Sequence, residues 1–332
     1  MIRPTTTTVG FWLVILVGAG TTLTGVGCSG DLKLKGHDYG PIATLDSCTS
    51  YQFEIVSLPY GELPNTGYGA SAAYDTSFRR DDDGVMVSEI DGQVSYHPVN
   101  MAHQLFRLLD VYSRTGDTAL LALATRYMER LAEMAMPFDS AIYFLYNFDY
   151  KVHQRDDAEL TAPWFSGMAQ GELLEVYVRM FAATSDSTYL EMAGGVFNSF
   201  LRRKGEAEPW TVFVDSIGCF WVEEYPLDEP SMTLNGFIFA VFGLYQFHQL
   251  THDPRAETVL VKCLSTIKNY LPLFRRIGRP SFYNLRFRRF DEEYHLIHII
   301  QLKYLAKMSG DPFFAAMADS LRADYQRPPI GG

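Results

Sequence analysis

Four short turns of one pattern divide the C-terminal two-thirds of this chain. Thr115-Gly116-Asp117, Thr184-Ser185-Asp186, Thr251-His252-Asp253 and Ser309-Gly310-Asp311 each close one stretch of helical periodicity and open the next. Asp suits the first position of a helix because its side-chain oxygen accepts an unpaired backbone N–H. The turns recur at intervals of 69, 67 and 58 residues. A repeat of that length, each unit a pair of helices, describes stacked helical hairpins. Four such hairpins bury both helix layers by closing into an (α/α) toroid, so the expected fold is mainly α.

Apolar residues spaced three and four apart mark eight helices, over 99–112, 119–135, 168–183, 189–201, 234–250, 256–271, 293–308 and 312–325. Longer non-helical segments interrupt the repeat at 136–163, 202–233 and 272–292. They fall at the helix ends opposite the Asp turns and are therefore expected to gather on one rim, where a cleft would form. The aromatic run AIYFLYNFDYKV (141–152) within the first reads as a strand. Before His97 the pattern differs: YQFEIVSL (51–58) and GVMVSEI (84–90) alternate as strands do, which predicts a small N-terminal β-hairpin region. Asp81-Asp82-Asp83-Gly84 reads as a turn, without the spacing of a calcium loop.

The first residues read as a targeting segment. Arg3 precedes an apolar run from Val9 to Gly20, and Gly27-Cys28-Ser29 has the form of a bacterial lipoprotein processing site. Gly25 stands where such sites usually carry Leu, which leaves an uncleaved membrane anchor as the alternative. Either way the body is expected to be exported and tethered, periplasmic or at the cell surface. The expected organisation is a signal or anchor segment over 1–28, a linker and β-rich region over 29–95, and a helical barrel over 96–328. With Cys28 lipidated, Cys48, Cys219 and Cys263 remain, which allows one internal disulfide at most. No cysteine or histidine spacing suggests a metal site. The formal net charge of −11 argues against nucleic acid as a partner. Against that acidic background Arg275, Arg276, Arg279, Arg286, Arg288 and Arg289 form a stretch with no acid, which points to a polyanionic ligand.

Chemistry is densest at FWVEEYPLDEPSMTLNGFIFAVFGLY (220–245). Pro226 and Pro230 exclude a regular helix at Glu224 and Tyr225. These groups therefore sit on a loop ahead of a buried helix. Helix-dipole stabilisation accounts for Asp228 and Glu229, but not for Glu223-Glu224-Tyr225.

The motif WVEEYP followed by LNGFIFAVFGLY resembles the C-terminal domain of the D-glucuronyl C5-epimerases, the enzymes that modify heparosan and heparan-type polysaccharides. PWFSGMAQGELL (163–174), YLPLF with SFYNLR (270–286) and EYHLIHIIQLKYL (293–305) are similar to further motifs of that family, in the same order; YHPVNMAHQLFRL (96–108) adds a looser match. The resemblance implies a helical-barrel catalytic domain that uses no cofactor. It also implies an anionic glucuronate polymer as partner, and it allows a homodimer. It places Glu224, Tyr225 and Tyr283 as catalytic groups, Glu224 and Tyr225 on one face of the sugar and Tyr283 on the other. Arg286 would clamp the substrate carboxylate. Tyr294, His295, His298, Trp164, Ser166, Gln170 and Glu223 would line the cleft, with Asn235 orienting it. Glu172 and Val222 depart from the family, which usually has Gln and Tyr there. The chain also lacks the β-sandwich-like domain that the animal enzymes carry between the motifs resembling YHPVNMAHQL and PWFSGMAQG.

Epimerisation at C5 requires removal of a weakly acidic C–H beside a carboxylate and return of a proton on the opposite face. It needs a base, an acid and a cation against the developing dianion. A tyrosine serves only if its pKa falls, which the neighbouring arginines would promote. Two other readings use the same residue types. A polysaccharide lyase abstracts the same proton and then expels the C4 oxygen. A glycan-binding lipoprotein would need no chemistry at all.

Overall fold

The computed structural model describes residues 45–326 apart from 75, 76 and 91. The targeting segment, Cys28 and the start of the linker lie outside the described residues. All eight expected long helices are present: α2 (Pro98–Thr115), α3 (Thr118–Met134), α4 (Gly167–Thr184), α5 (Ser187–Asn198), α6 (Leu234–Thr251), α7 (Pro254–Phe274), α8 (Glu292–Ser309) and α9 (Pro312–Asp324). A single turn, α1 (Ala70–Ala73), precedes them.

The four repeated turns are one structure built four times. Asp117, Asp186, Asp253 and Asp311 each accept the backbone N–H two residues on, at 2.8–3.0 Å. The hydroxyl two residues before each Asp accepts that Asp's own N–H, at 3.2–3.3 Å. The residue between them is left-handed, with φ of 69° at Gly116, 60° at Ser185, 52° at His252 and 63° at Gly310. The pattern Thr/Ser-x-Asp is thus a helix C-cap and an N-cap fused in three residues.

Each turn joins an inner helix to an outer one. The inner helices α2, α4, α6 and α8 pack in that order, and α4 against α6 is the largest interface in the molecule. Residues 167–180 of α4 and 234–247 of α6 are buried on every face. The outer helix α9 buries only Phe314, Ala318 and Leu321, a single stripe. Helices α4 and α6 approach to backbone contact: a Cβ at Gly171 would lie 2.7 Å from Ala240 Cβ, and one at Gly243 2.7 Å from the Gly171 carbonyl carbon. Helices α2 and α8, at the two ends of the arc, share no comparable interface among the described residues.

The N-terminal strand expectation holds only in part. Residues 88–95 form the hairpin β1 (Ser88–Ile90) and β2 (Gln93–Ser95). Residues 51–58 belong to no sheet. Their backbone bonds go to helices instead: Tyr51 N–H to Ser265 Oγ, Val56 N–H to the Met308 carbonyl and Leu58 N–H to Tyr245 Oη. Alternating apolar residues pack there against helices rather than a second strand. Cys48 at the head of this strap is disulfide-bonded to Cys219, and Cys263 is free and buried. Among the described residues no helix is long and apolar enough to cross a membrane.

The three long segments do meet on one rim. The first folds as β3 (Ala135–Phe138), β4 (Ala141–Tyr146) and β7 (Trp164–Phe165) in one sheet, with β5 (Tyr150–Lys151) and β6 (Glu159–Leu160) as a separate hairpin. The run 141–152 is therefore two strands, not one. The second segment is the hairpin β8 (Val212–Val214) and β9 (Phe220–Val222). The third is irregular and is tied to the second by a bridge between Thr233 and Asn284.

Candidate active site

Glu224 and Tyr225 leave β9 on a loop that ends at Thr233, the N-cap of α6. Glu223 holds this loop shut. Its carboxylate is fully buried and accepts from Ser231 Oγ at 2.6 Å, Met232 N–H at 3.0 Å and Tyr225 N–H at 3.3 Å. Tyr283 is pinned from both sides of its backbone. Its carbonyl accepts from Leu234 N–H at the start of α6, and its own N–H donates to the Arg289 carbonyl at 2.6 Å. Two rim segments distant in sequence thereby converge on the first turn of one inner helix.

There the Tyr283 hydroxyl donates toward both oxygens of Glu224, at 3.3 Å each, and lies 3.4 Å from the Tyr225 hydroxyl. Tyr294, in the first turn of α8, meets the Tyr283 ring edge-on with centroids 4.5 Å apart. Tyr150 stacks on Tyr225 at 5.7 Å, and Trp164 stacks on Tyr150 at 5.9 Å and on Tyr146 at 4.0 Å. The Glu224 carboxyl rests on Gly236, where a side chain would collide with it. The site is thus one carboxyl inside a shell of phenols.

Burial sets the protonation states. It raises Glu224 to about 8, and the charge of Glu223 adds to that shift. Glu223 itself is raised to about 7 by burial, against its three hydrogen bonds. Tyr225 and Tyr283 are pushed well above the ordinary tyrosine value, first by burial and then by the Glu224 charge. The sequence-based expectation that arginines would lower the tyrosines is therefore reversed. A phenol in a dry site beside a carboxylate keeps its proton. Both carboxyls can change state near neutral pH, but only Glu224 touches the phenols, which are donors.

The polar ends of Glu224, Tyr225 and Tyr283 lie within 3.4 Å of one another along the chain of contacts, so the expected placement of a sugar between them requires that contact to part. One other expectation needs correction. The arginine-rich segment is not a strip. Arg275 pairs with Asp324 at 2.6 Å, Arg276 lies over Phe290 at 4.2 Å, and Arg286 turns outward to Glu229 at 2.9 Å. Arg286 therefore does not reach the cluster here.

The remaining expected residues divide between wall and scaffold. Trp164 is wall; its Nε1–H donates to the Phe148 carbonyl at 2.8 Å. Ser166 caps α4, accepting from Ala169 N–H. Gln170 ties α4 to β4 through Phe144 N–H and the Ile142 carbonyl. Asn235 is buried in the first turn of α6, and its carbonyl accepts from Gln301 Nε2 at 2.9 Å. His295 and His298 sit behind the site, both 2.9 Å from Ser281 Oγ, and His295 Nε2 donates to the Leu321 carbonyl at 3.1 Å. His295 thereby joins α8 to α9 and to the third rim segment, while His298 is tied to that segment alone and keeps a buried Nε2 without a hydrogen-bond partner among the described residues.

The sequence did not single out His153. Its ring lies 5.3 Å from Tyr283 and 6.5 Å from Tyr225, and its Nε2 is 2.7 Å from Asn284 Nδ2. Burial, with the charges of Arg289 and Arg155, holds it neutral, down to about 3. Its φ of 56° is a left-handed conformation that a non-glycine residue adopts at some cost. Tyr150 was likewise unmarked, and Arg289 was marked only as one of six arginines in a basic stretch. The Arg289 charge is felt by both Tyr150 and His153, and the Arg155 charge by His153. The aromatic density of 141–152 was the one signal for this wall. Positive φ and cross-segment contacts leave no trace in sequence.

The fold class is that of the (α/α) toroids. Solved structures similar to this chain include cellobiose 2-epimerase from Bacillus thermoamylovorans B4167 (TM-score 0.54, 11% identity, covering 74% of this chain and 65% of that one). A D-mannose isomerase is similar too (TM-score 0.50, 11% identity, covering 80% and 71%). At such identity the likeness is one of fold. Residues 138–322 match the family described as D-glucuronyl C5-epimerase C-terminus, and the chain belongs to that family. D-glucuronyl C5-epimerase of Caenorhabditis elegans is 31% identical over 177 residues, which are 47% of this chain and 28% of the nematode protein. An uncharacterized protein of Methanocaldococcus jannaschii is 26% identical over 236 residues, 67% of this chain and 74% of that one. The shared region is thus a small part of the nematode protein and most of the archaeal one.

Proposed function

We propose that this chain is a uronate C5-epimerase that converts D-glucuronate to L-iduronate residues within an anionic polysaccharide. The observation that carries the reading is the Glu224 carboxyl at 3.3 Å from the Tyr283 hydroxyl, within the Tyr150, Tyr225 and Tyr294 shell. Family membership sets this arrangement in a domain whose relatives include an enzyme named for the reaction.

Glu224, raised to about 8, is matched to taking and returning a carbon-bound proton near neutral pH. The C5–H electron pair moves toward the substrate carboxylate as Glu224 takes the proton. A phenol on the opposite face then donates a proton to C5 and recovers one from solvent or from the next hydroxyl. Burial keeps the phenols protonated until then. Arg289 offers the charge that offsets the dianion, the part assigned from sequence to Arg286. Substrate entry must part the Tyr283–Glu224 contact, since the acid and the base have to stand on opposite faces.

Proton NMR of a glucuronate polymer incubated with the chain in heavy water tests the reading. Deuterium at C5 together with new iduronate signals is expected. Unsaturated uronate signals with shortened chains would make the protein a lyase, and tight binding without exchange would make it a glycan-binding protein. Tyr283→Phe should cut exchange by roughly 10²–10⁴-fold while the fold is kept.

A further inference from the structure

Beside the phenol–carboxyl cluster the rim carries a second hollow, a groove of about 550 Å³. That is an ordinary size for a ligand site. Trp164 belongs to both: it lines the groove, and its ring lies 6.5 Å from that of Tyr225. Pro226 and Leu227, the two residues after Tyr225, form part of the groove wall. A polymer with one unit on the cluster must therefore lay a neighbouring unit in or over this groove.

Charge decides what that unit can be. Asp157, Glu159, Glu208, Asp228 and Glu229 line the groove, against Arg286 alone. Arg286 is already paired with Glu229, and Asp157 is held by Arg155 at 2.7 Å. Lys204 stands over Trp210 at 4.7 Å but spends its ammonium on the carbonyls of Leu227 and Asp228. With Arg286, Arg155 and Lys204 all counted against five carboxylates, the groove stays negative. A concave wall of one sign focuses its field on whatever occupies it. A sulfated sugar there would add like charge, and the one guanidinium among the described lining residues, Arg286, is already paired.

We propose that the groove is the subsite for the sugar next to the reacting uronate, and that it takes an uncharged, unsulfated unit and rejects a sulfated one. The proposal rests on the uronate-epimerase reading of the adjoining cluster. It makes this chain an enzyme of unsulfated glucuronate polymers, in which the charge-free unit alternates with the uronate. The selectivity lies in exposed rim residues, not in the catalytic groups.

Two defined probes test it: an alternating glucuronate–N-acetylglucosamine oligosaccharide, and its N-sulfated counterpart of equal length. With the full chain in heavy water, C5 exchange measured as kcat/KM should be at least about tenfold faster for the N-acetyl probe, and the gap should shrink as salt is raised. Glu208→Lys combined with Asp228→Lys touches neither Glu224 nor its phenols. It should bring the two probes to within about threefold, mainly through KM of the sulfated one. Equal or faster exchange of the sulfated probe, or a gap unmoved by the double variant, overturns the proposal. Calorimetric binding of the same probes separates the two readings. If neither probe exchanges, the epimerase reading fails, yet tighter binding of the N-acetyl probe that the double variant abolishes still upholds the groove. Binding that is equal for both, or absent for both, sinks it.

Discussion

Gly236 offers a way to move the Glu224 carboxyl without touching it. A Cβ built at Gly236 would lie 2.7 Å from the Glu224 carboxyl carbon and 2.9 Å from its Cβ, where ordinary contact begins near 3.4 Å. In Gly236→Ala the carboxyl must therefore retreat by roughly 1 Å, a displacement that can cost about 10²-fold at a catalytic group. The Tyr283 hydroxyl at 3.3 Å from both oxygens loses its even contact at the same time. Global stability should change little. Ala is worth about 1 kcal/mol more than Gly inside a helix, which offsets part of the local repacking. The assay is C5 deuterium exchange under saturating polymer, beside a thermal melt. The expected result is kcat lower by about 10²-fold, KM changed less than about threefold and a melting point within a few degrees of the parent. A kcat within about threefold of the parent would refute the placement of Glu224 on the α6 first turn as the reacting group. So would a loss accounted for entirely by unfolding.

Further expectations follow from burial and crosslinking. With Glu224 raised to about 8, kcat/KM should climb with pH below that value and level off above it; a flat profile from pH 6 to 9 would exclude this carboxylate as the base. The same shift works against stability. Between the unfolded value of 4.5 and about 8 the folded chain holds a proton that the unfolded chain releases, so this group's contribution falls as pH rises through that window. Glu224→Gln should therefore raise the melting point at pH 9 and leave it nearly unchanged at pH 4.5. Glu223→Ala leaves Ser231 and the Met232 N–H without their acceptor; it should lower stability by about 1–3 kcal/mol and lower activity through a loosened loop, read by urea titration beside the exchange assay. Removing the Cys48–Cys219 crosslink, which closes a loop of 171 residues, should cost about 2–5 kcal/mol by the same titration. A double Cys→Ser variant as stable as its parent would show the strap to be held by its helix contacts alone.

The repeated turns carried most of the fold. Thr/Ser-x-Asp is a local device, in which a hydroxyl, a left-handed residue and a carboxylate satisfy their own helix ends, so its meaning is complete within three residues. Helical periodicity is local as well, and all eight long helices follow from it. From their order and the position of the three long segments, the rim follows too. The strap over 51–58 was misread because alternation says that one face is buried, not what buries it.

The resemblance of ordered motifs to the family brought Glu224, Tyr225, Tyr283 and Tyr294 forward as a group, and the structure sets them together. What each side chain faces depended on the tertiary structure. Glu223 and Glu224 are adjacent acids, yet one is spent holding a loop and the other stands among phenols, because successive residues leaving a strand point in opposite directions. Arg286 and Arg289 differ by three residues, and the turn between them, with Arg288 at a φ of 48°, leaves Arg286 outward with Glu229 and Arg289 beside Tyr150 and His153. Protonation was beyond the sequence altogether, since it depends on burial and on the sign of neighbours brought from distant segments. The sequence by itself determined the helices, their caps and the chemical inventory of the rim. Only the packed structure decided which members of that inventory face one another, because pairing across the rim joins residues more than a hundred positions apart, as His153 with Asn284, and no local rule spans that distance.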